Sequence, residues 1–169
     1  MKKFCSFLLL FLLLCGCQRD SSSARKMTAE ERYLDLVELL QAQEVLRESS
    51  NAFDLSGEIV KITEGYRYYV FIDNARIALY DVEALACEDG VDYTTRMAAS
   101  VGIFEENEYH MIPNQSNPDK GYVSGLVISG VSEEPDVDLR ILIQWENKDR
   151  NNNTRAYYRL HLSASEEND

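Results

Sequence analysis

The chain contains four cysteines and two histidines, and one cysteine stands where covalent chemistry is expected. Cys17 ends a Leu-Cys-Gly-Cys sequence at residues 14–17, after an apolar run that follows Lys2 and Lys3. A basic start, an apolar stretch of this length and a small residue before the cut are the parts of an export signal peptide. The sequence therefore predicts that residues 1–16 are removed and that Cys17 is the first residue of the mature chain.

The Leu-Cys-Gly-Cys sequence resembles the lipobox of bacterial lipoprotein signal peptides, although Cys15 replaces the usual small aliphatic or hydroxylated residue. The resemblance implies a diacylglyceryl lipid on the Cys17 thiol and an amide-linked acyl chain. Each buried methylene would contribute about 0.8 kcal/mol to membrane binding. We therefore expect an extracytoplasmic protein that is lipid-anchored to the bacterial cell membrane or outer membrane. An ordinary signal peptide cut elsewhere and an uncleaved anchor are the alternatives.

Residues that usually carry catalysis are scattered over the rest of the chain. His110 and His161 lie far apart, and neither belongs to a spaced Cys/His/Asp cluster. Cys87 alone remains as a free thiol after processing, and it ends a strand-like run, so we expect it to be buried and inert. The sequence predicts a protein that is not an enzyme and holds no cofactor beyond the lipid on Cys17.

Acidic residues dominate the charge of the chain. The formal net charge is −12, and removal of the two lysines in residues 1–16 would make it −14. Such a chain is repelled by the phosphates of DNA and RNA, so no nucleic-acid partner is expected. We interpret the acidity as a solubility feature, with a cationic partner as the alternative.

One acidic cluster provides a candidate metal site. Glu133, Glu134, Asp136 and Asp138 lie at a predicted turn between two strands. Ca²⁺ takes several carboxylate and carbonyl oxygens in a loop, but the regular Asp-x-Asp-x-Asp-Gly pattern is missing. We prefer a solvated acidic turn and expect no metal, with calcium as the alternative.

A helix is predicted over residues 28–50, after a lipidated tether at residues 17–27. Thr28 and Glu31 form a capping-box pattern at its start. Apolar residues then recur at helical spacing, among them Tyr33, Leu36, Val37 and Leu40. We expect this amphipathic helix to pack against one end or edge of the following domain.

Period-two alternation replaces the helical period over residues 51–163. Strands are predicted at residues 58–63, 66–72, 77–87, 97–104, 109–112, 123–131, 137–146 and 155–162. The last two should form an antiparallel hairpin, and residues 77–87, apolar on both faces, a central strand. An acidic tail, residues 164–169, follows. Short strands at regular spacing without a second helix predict a β-sandwich.

Two of these runs carry a resemblance. Residues 68–74 (Tyr-Tyr-Val-Phe-Ile-Asp-Asn) and 79–86 (Leu-Tyr-Asp-Val-Glu-Ala-Leu-Ala) resemble the strand, asparagine turn and strand of bacterial immunoglobulin-like modules in cell-surface proteins. The resemblance extends over residues 53–162. It implies an immunoglobulin-like antiparallel β-sandwich used for surface display and binding, and it transfers no functional residues.

Two polar loops and the tyrosines are the candidates for recognition. Long polar loops on a rigid sandwich commonly carry binding residues, and the candidates here are Pro113, Asn114, Gln115, Asn117, Arg150 and Arg155. Tyr66, Tyr68 and Tyr69 can pack in the core or form an adhesive face, and alternation should bury about half of such tyrosines. The predicted function is a non-catalytic protein-binding or accessory module of an envelope or surface assembly. A glycan- or small-ligand-binding lipoprotein is the alternative, and it requires an aromatic-lined groove.

Overall fold

The computed structural model describes residues 27–165. The predicted signal peptide, the tether up to residue 26 and the tail from residue 166 lie outside the described residues. One α-helix and seven strands follow one another in the order α1 (Ala29–Ala42), β1 (Asp54–Lys61), β2 (Tyr66–Asp73), β3 (Tyr80–Glu88), β4 (Ala99–Val101), β5 (Gly125–Ser132), β6 (Asp136–Glu146) and β7 (Asn153–Ser163). A short 3-10 helix (Pro118–Lys120) lies between β4 and β5. Within residues 27–165, no helix has the length and apolar character needed to cross a membrane.

The strands form two antiparallel sheets. One sheet has the order β1-β2-β5 and the other the order β4-β3-β6-β7. The connection after β2 crosses between the sheets at Asn74, whose φ is +47° and whose side chain donates to Asp54 Oδ2 at 2.7 Å. Two facing antiparallel sheets with such crossovers form an immunoglobulin-like sandwich. The predicted fold class is confirmed.

The main core lies between the two sheets. Phe53, just before β1, is fully buried and meets the rings of Trp145 and Tyr158 edge-on at 5.8 and 5.7 Å. The residues of β6 that were predicted to share one face are all buried in this core, namely Val137, Leu139, Ile141, Ile143 and Trp145. The predicted β6–β7 hairpin is present. Asp136 pairs with Ser163 at one end of the ladder, and Glu146 pairs with Asn153 at the other.

Helix α1 covers the outer face of the four-stranded sheet. The sequence had predicted that it would pack against one end or edge of the domain. A second apolar cluster lies beneath it, formed by Tyr33, Leu36, Val37 and Leu40 of the helix with Leu85, Cys87 and Leu142 of the sheet. The Tyr33 hydroxyl accepts from the Ala98 N–H at 2.6 Å. β3 is consequently buried on both faces, as predicted for a central strand.

The prediction of a helix over residues 28–50 was wrong at its carboxyl end. The Thr28 capping box is present, but the helix ends at Ala42. Further on, the Arg47 N–H donates to the Tyr157 carbonyl at 2.9 Å, and the Arg159 N–H donates to the Arg47 carbonyl at 2.8 Å. Bonds to the edge of β7 thus replace the helical bonds that this segment would have made.

Two predicted strands are also shorter than expected. Of residues 97–104, only Ala99–Val101 form a strand. Of residues 109–112, His110 and Met111 make only isolated bridges, to Tyr122 and Leu79. The chain is held there by pairing at single residues because both neighbours are themselves loop or strand-end segments.

Cys87 is 1% exposed beneath α1, and burial raises the pKa of its thiol to about 12. We expect Ellman's reagent at about pH 8 to leave this thiol unmodified in a folded form that lacks the other cysteines, because thiolate is the reactive species. Leu40→Ala should accelerate labelling by loosening the helix. If the form that keeps Leu40 were labelled as fast in buffer as in denaturant, α1 would not protect the outer face of the four-stranded sheet.

Candidate functional site

The outer face of the three-stranded sheet is open, in contrast to the helix-covered face of the other sheet. Alternation along the strands turns Ile59, Val70 and Ile128 into the core and their neighbours outward. We call the outward set the bare face, and its members are Ser56, Glu58, Val60, Arg67, Tyr69, Phe71, Asp73, Val127, Ser129 and Val131. Val60, Val127 and Val131 are 40–50% exposed. Apolar side chains are therefore presented to solvent by a rigid sheet.

A pair of aromatic rings forms the centre of the bare face. Tyr69 and Phe71 are stacked at 6.4 Å with an interplanar angle of 18°. Val127 is the register partner of Phe71 on β5. Asp73 and Arg67 lie at the two ends of the same strand, so the apolar centre has a negative end and a positive end.

A groove of about 990 Å³ adjoins the Asp73 end of the bare face. Phe71 and Val127 belong to both surfaces. The polar lining comes from two connections, namely Asp54, Asp73 and Asn74 beside the β2–β3 turn, and Asn114, Gln115 and Ser116 in the loop before β5. We call this cavity the loop groove. It contains three of the predicted binding residues, Pro113, Asn114 and Gln115.

The fourth predicted residue of that loop, Asn117, does not line the groove. It closes the loop instead, because its N–H donates to the Tyr122 carbonyl at 2.8 Å and its carbonyl accepts from the Tyr122 N–H at 3.1 Å. The His110 N–H donates to the Gly121 carbonyl at 2.8 Å, and Met111 exchanges two bonds of 2.9 Å with Leu79. The loop is fixed at both ends and presents a preformed wall.

One carboxylate at the groove rim is held by its neighbours. Asp54 accepts from the Asn74 amide at 2.7 Å and from the Arg76 guanidinium. The hydrogen bond from Asn74, followed by that from Arg76, holds the pKa of Asp54 below its ordinary value. Asp54 is thus an ionised, oriented acceptor at the rim.

Arg150 and Arg155 belong to the second predicted recognition region, and the structure places both outside the lining of the loop groove. Arg150 forms a two-pronged ion pair with Glu108, at 3.1 and 2.6 Å. Arg155 Nε donates to Gln144 Oε1 at 2.9 Å. Each guanidinium is engaged in a pair that fixes its own segment.

The candidate calcium residues are divided. Glu134, Asp136 and Asp138 line a separate groove of about 560 Å³, whereas Glu133 is not part of its lining. Asp138 Oδ1 lies 3.4 Å from His161 Nδ1. Across residues 27–165, no group of three or more His, Cys, Asp or Glu side chains is arranged to hold a metal ion.

His110 is 8% exposed and serves the loop. Its Nδ1 accepts from the Asp81 N–H at 3.1 Å, and the rings of Tyr80 and Tyr122 flank it at 5.5 and 5.1 Å. Its Nε2 lies 3.8 Å from Glu108 Oε2. The imidazole does not line the loop groove, and its contacts are those of a packing residue.

A buried polar network lies under the start of α1, and it was not predicted from the sequence. Glu83 on β3 is 3% exposed, and its carboxylate pairs with Arg32 of the helix at 2.9 Å. The Gln144 amide also donates to it, and Arg32 donates to the Ile103 carbonyl at 3.0 Å. The ion pair joins the helix to the sheet. The available signal was an acid inside the apolar run at residues 79–86.

The Glu83 network predicts a pH dependence of stability. Burial raises the pKa of Glu83 above its ordinary value of 4.5, against the opposing effects of Gln144 and Arg32. Between the unfolded and folded pKa values the folded protein binds more protons than the unfolded chain, so stability falls as pH rises above about 4.5. Glu83→Gln should make this fall smaller, as measured by urea unfolding at several pH values.

Asp89→Asn provides a comparison of opposite sign. The hydrogen bond from Arg140 lowers the pKa of Asp89. The stabilisation that ionised Asp89 gives the folded protein is therefore lost as pH falls below the ordinary value of 3.8. Asp89→Asn should leave the fall in stability above pH 4.5 unaltered, because that fall comes from Glu83. An unaltered slope in Glu83→Gln would contradict the assignment of Glu83 as the source.

The chain matches no protein-family model and no curated protein. The groove adjoins an open apolar sheet face, and Asp54 and His110 beside it are engaged in hydrogen bonds within the fold.

Proposed function

We propose that this protein is an extracytoplasmic bacterial lipoprotein, anchored through lipid on Cys17, that binds another protein as a non-catalytic accessory module of an envelope or surface assembly. The bare face and the adjoining loop groove are the binding surface. The basic start, apolar run and Cys17 of the sequence support the anchor.

The difference between the two outer faces carries the proposal. Helix α1 buries the apolar outer residues of the four-stranded sheet, including Leu85 and Leu142. The three-stranded sheet instead leaves a stacked aromatic pair and three half-exposed valines at its surface. Contiguous exposed apolar surface with a polar rim is typical of sites where proteins dock. Aromatic side chains are also enriched at the centre of such interfaces.

The loop groove supports a second candidate, a glycan ligand. Phe71 offers an aromatic plane, and Asp73, Asn114 and Gln115 offer planar polar groups beside it. An apolar platform with a few placed polar groups is the general make-up of a small-ligand site. The protein partner is preferred because the exposed apolar surface continues past the groove to Val131.

Affinity capture from intact cells after reversible cross-linking tests the proposal. The bait is the lipidated protein, compared with Cys17→Ala and with a Tyr69→Ser/Phe71→Ser variant. Leu34→Ser is the matched control, because Leu34 is 56% exposed on α1, on the other side of the sandwich. We expect a recurrent envelope protein with the unaltered bait and with Leu34→Ser, and its loss from the bare-face variant.

Retention of the same proteins by the Tyr69→Ser/Phe71→Ser variant would contradict the assigned surface. An empty capture from folded, membrane-bound bait would contradict protein binding. A glycan array probed with the same variants would then test the second candidate, which requires glycan binding that the Tyr69→Ser/Phe71→Ser variant loses.

A further inference from the structure

The outward side chains of β2 form a polar–apolar–polar column. In order along the strand they are Arg67, Tyr69, Phe71 and Asp73. The two rings stack at the centre, and the opposite charges stand at the two ends. Among the described residues, neither Arg67 nor Asp73 has a hydrogen-bond or ion-pair partner for its side chain. If a second copy of this column is turned end to end and placed against the first, each charge meets the opposite charge and each ring meets a ring.

We propose that the partner of the bare face is a second copy of this chain, in an antiparallel face-to-face dimer. The inference rests on the proposed function in taking the bare face as the binding surface and Cys17 as the site of the lipid anchor. A two-fold axis that runs across the strands, midway between Tyr69 and Phe71, reverses the second copy. Arg67 of each copy then faces Asp73 of the other, and Phe71 faces Tyr69. Such an isologous contact uses the same patch twice and forms a closed pair.

The flanking strands accept this arrangement. On β5, Val131 of one copy faces Gly125 of the other, where the missing side chain leaves space, and Val127 faces Ser129. On β1, Ser56 faces Glu58 and can donate a hydrogen bond to it. No two charges of the same sign are opposed in these three columns. Sheets that pack face to face in this way lie about 10 Å apart.

The charges select the antiparallel arrangement over the alternative. If the two-fold axis ran along the strands, β2 would face β2 with Asp73 opposite Asp73 and Arg67 opposite Arg67. Like charges placed opposite each other at an interface are unfavourable. The same column that supports one orientation therefore opposes the other, which gives the dimer a defined geometry.

The size of the face sets the expected strength. Three strands about 4.8 Å apart, with about eight residues of 3.3 Å each, cover roughly 400 Å² per copy. A stable interface buries about 800 Å² per partner, so contact through the sheet alone is weak. Lipid anchoring would confine the copies to one surface and raise their effective concentration. The dimer is thus a property of the membrane-bound protein at high surface density.

A charge-swap series tests the dimer. The lipidated protein, carrying donor or acceptor dyes on a carboxy-terminal tag, is placed in phosphatidylcholine vesicles at increasing surface density, and energy transfer between copies is measured. Arg67→Asp and Asp73→Arg should each weaken association by about tenfold or more, because each creates two like-charge contacts. The Arg67→Asp/Asp73→Arg double variant restores opposite charges and should recover association to within about threefold.

Leu34→Ser serves as the control variant, and circular dichroism verifies that each variant is folded. Single variants that associate as well as the unaltered protein, a double variant as weak as the singles, or no energy transfer at any density would each overturn the dimer. If the dimer is overturned while capture of another envelope protein still depends on Phe71, the proposed function stands. If that capture also fails, both proposals fall.

Discussion

Phe53→Ala should lower the free energy of unfolding by about 3–5 kcal/mol, the range for removal of a fully buried phenylalanine. Phe53 is 0% exposed and lies edge-on to both Trp145 and Tyr158. Its loss leaves a cavity between the sheets next to two large rings that cannot easily collapse into it. Trp145, the single tryptophan, reports the transition directly in urea unfolding followed by fluorescence.

Val45→Ala is the control for Phe53→Ala, because Val45 is 74% exposed. Exposed substitutions of this kind change stability by about 0.5 kcal/mol or less. A loss below about 1 kcal/mol for Phe53→Ala would mean that the ring does not join the two sheets.

Gly130→Ala should destabilise the protein by about 1–3 kcal/mol through overpacking. Gly130 on β5 is the register partner of Tyr68, and a Cβ at Gly130 would overlap the Tyr68 hydroxyl oxygen. Tyr68 is 2% exposed in the main core, so its ring has little room to move. The measurement is the midpoint of thermal or urea unfolding.

A double-mutant cycle separates this clash from a change in β-propensity. In a Tyr68→Leu background the contact is gone, and Gly130→Ala should cost less than in the unaltered protein. Equal costs in both backgrounds would contradict a packing of Tyr68 against the β5 backbone.

Local sequence patterns predicted the features that depend on neighbouring residues. Thr28 and Glu31 start the helix. Alternation along β6 places Leu139 and the residues two positions on either side of it in the core. Cys87 lies in the apolar end of β3 and is buried. Each of these follows from a helical or strand period over a few residues. The fold class followed from the number and spacing of such strands.

Features that depend on distant residues were not predicted. The helix ends early because Arg47 pairs with Tyr157 and Arg159, over a hundred residues later in the chain. Arg150 and Arg155 looked like exposed cationic points, and their partners Glu108 and Gln144 are set by the fold. Tertiary pairing decided all of these positions, and local propensity carried no signal for it.

The bare face shows the same division. Alternation predicted that about half of the strand tyrosines would be buried, and of Tyr66, Tyr68 and Tyr69 it is Tyr68 that is buried in the core. That Tyr69 stacks on Phe71 on an open sheet face depends on where α1 packs, since the helix could have covered either sheet. Glu83 and its pair with Arg32 belong to the helix-covered side and help to hold the helix there.

Site-specific photo-cross-linking in intact cells tests the binding role of the bare face most directly. A photoreactive residue replaces Val127, which is 49% exposed on that face, or Leu34, which is 56% exposed on α1. We expect a discrete cross-linked product, either a dimer or a complex with one envelope protein, from position 127 and not from position 34. The same product from both positions, or no product from position 127, would contradict the claim that this face is where the protein binds.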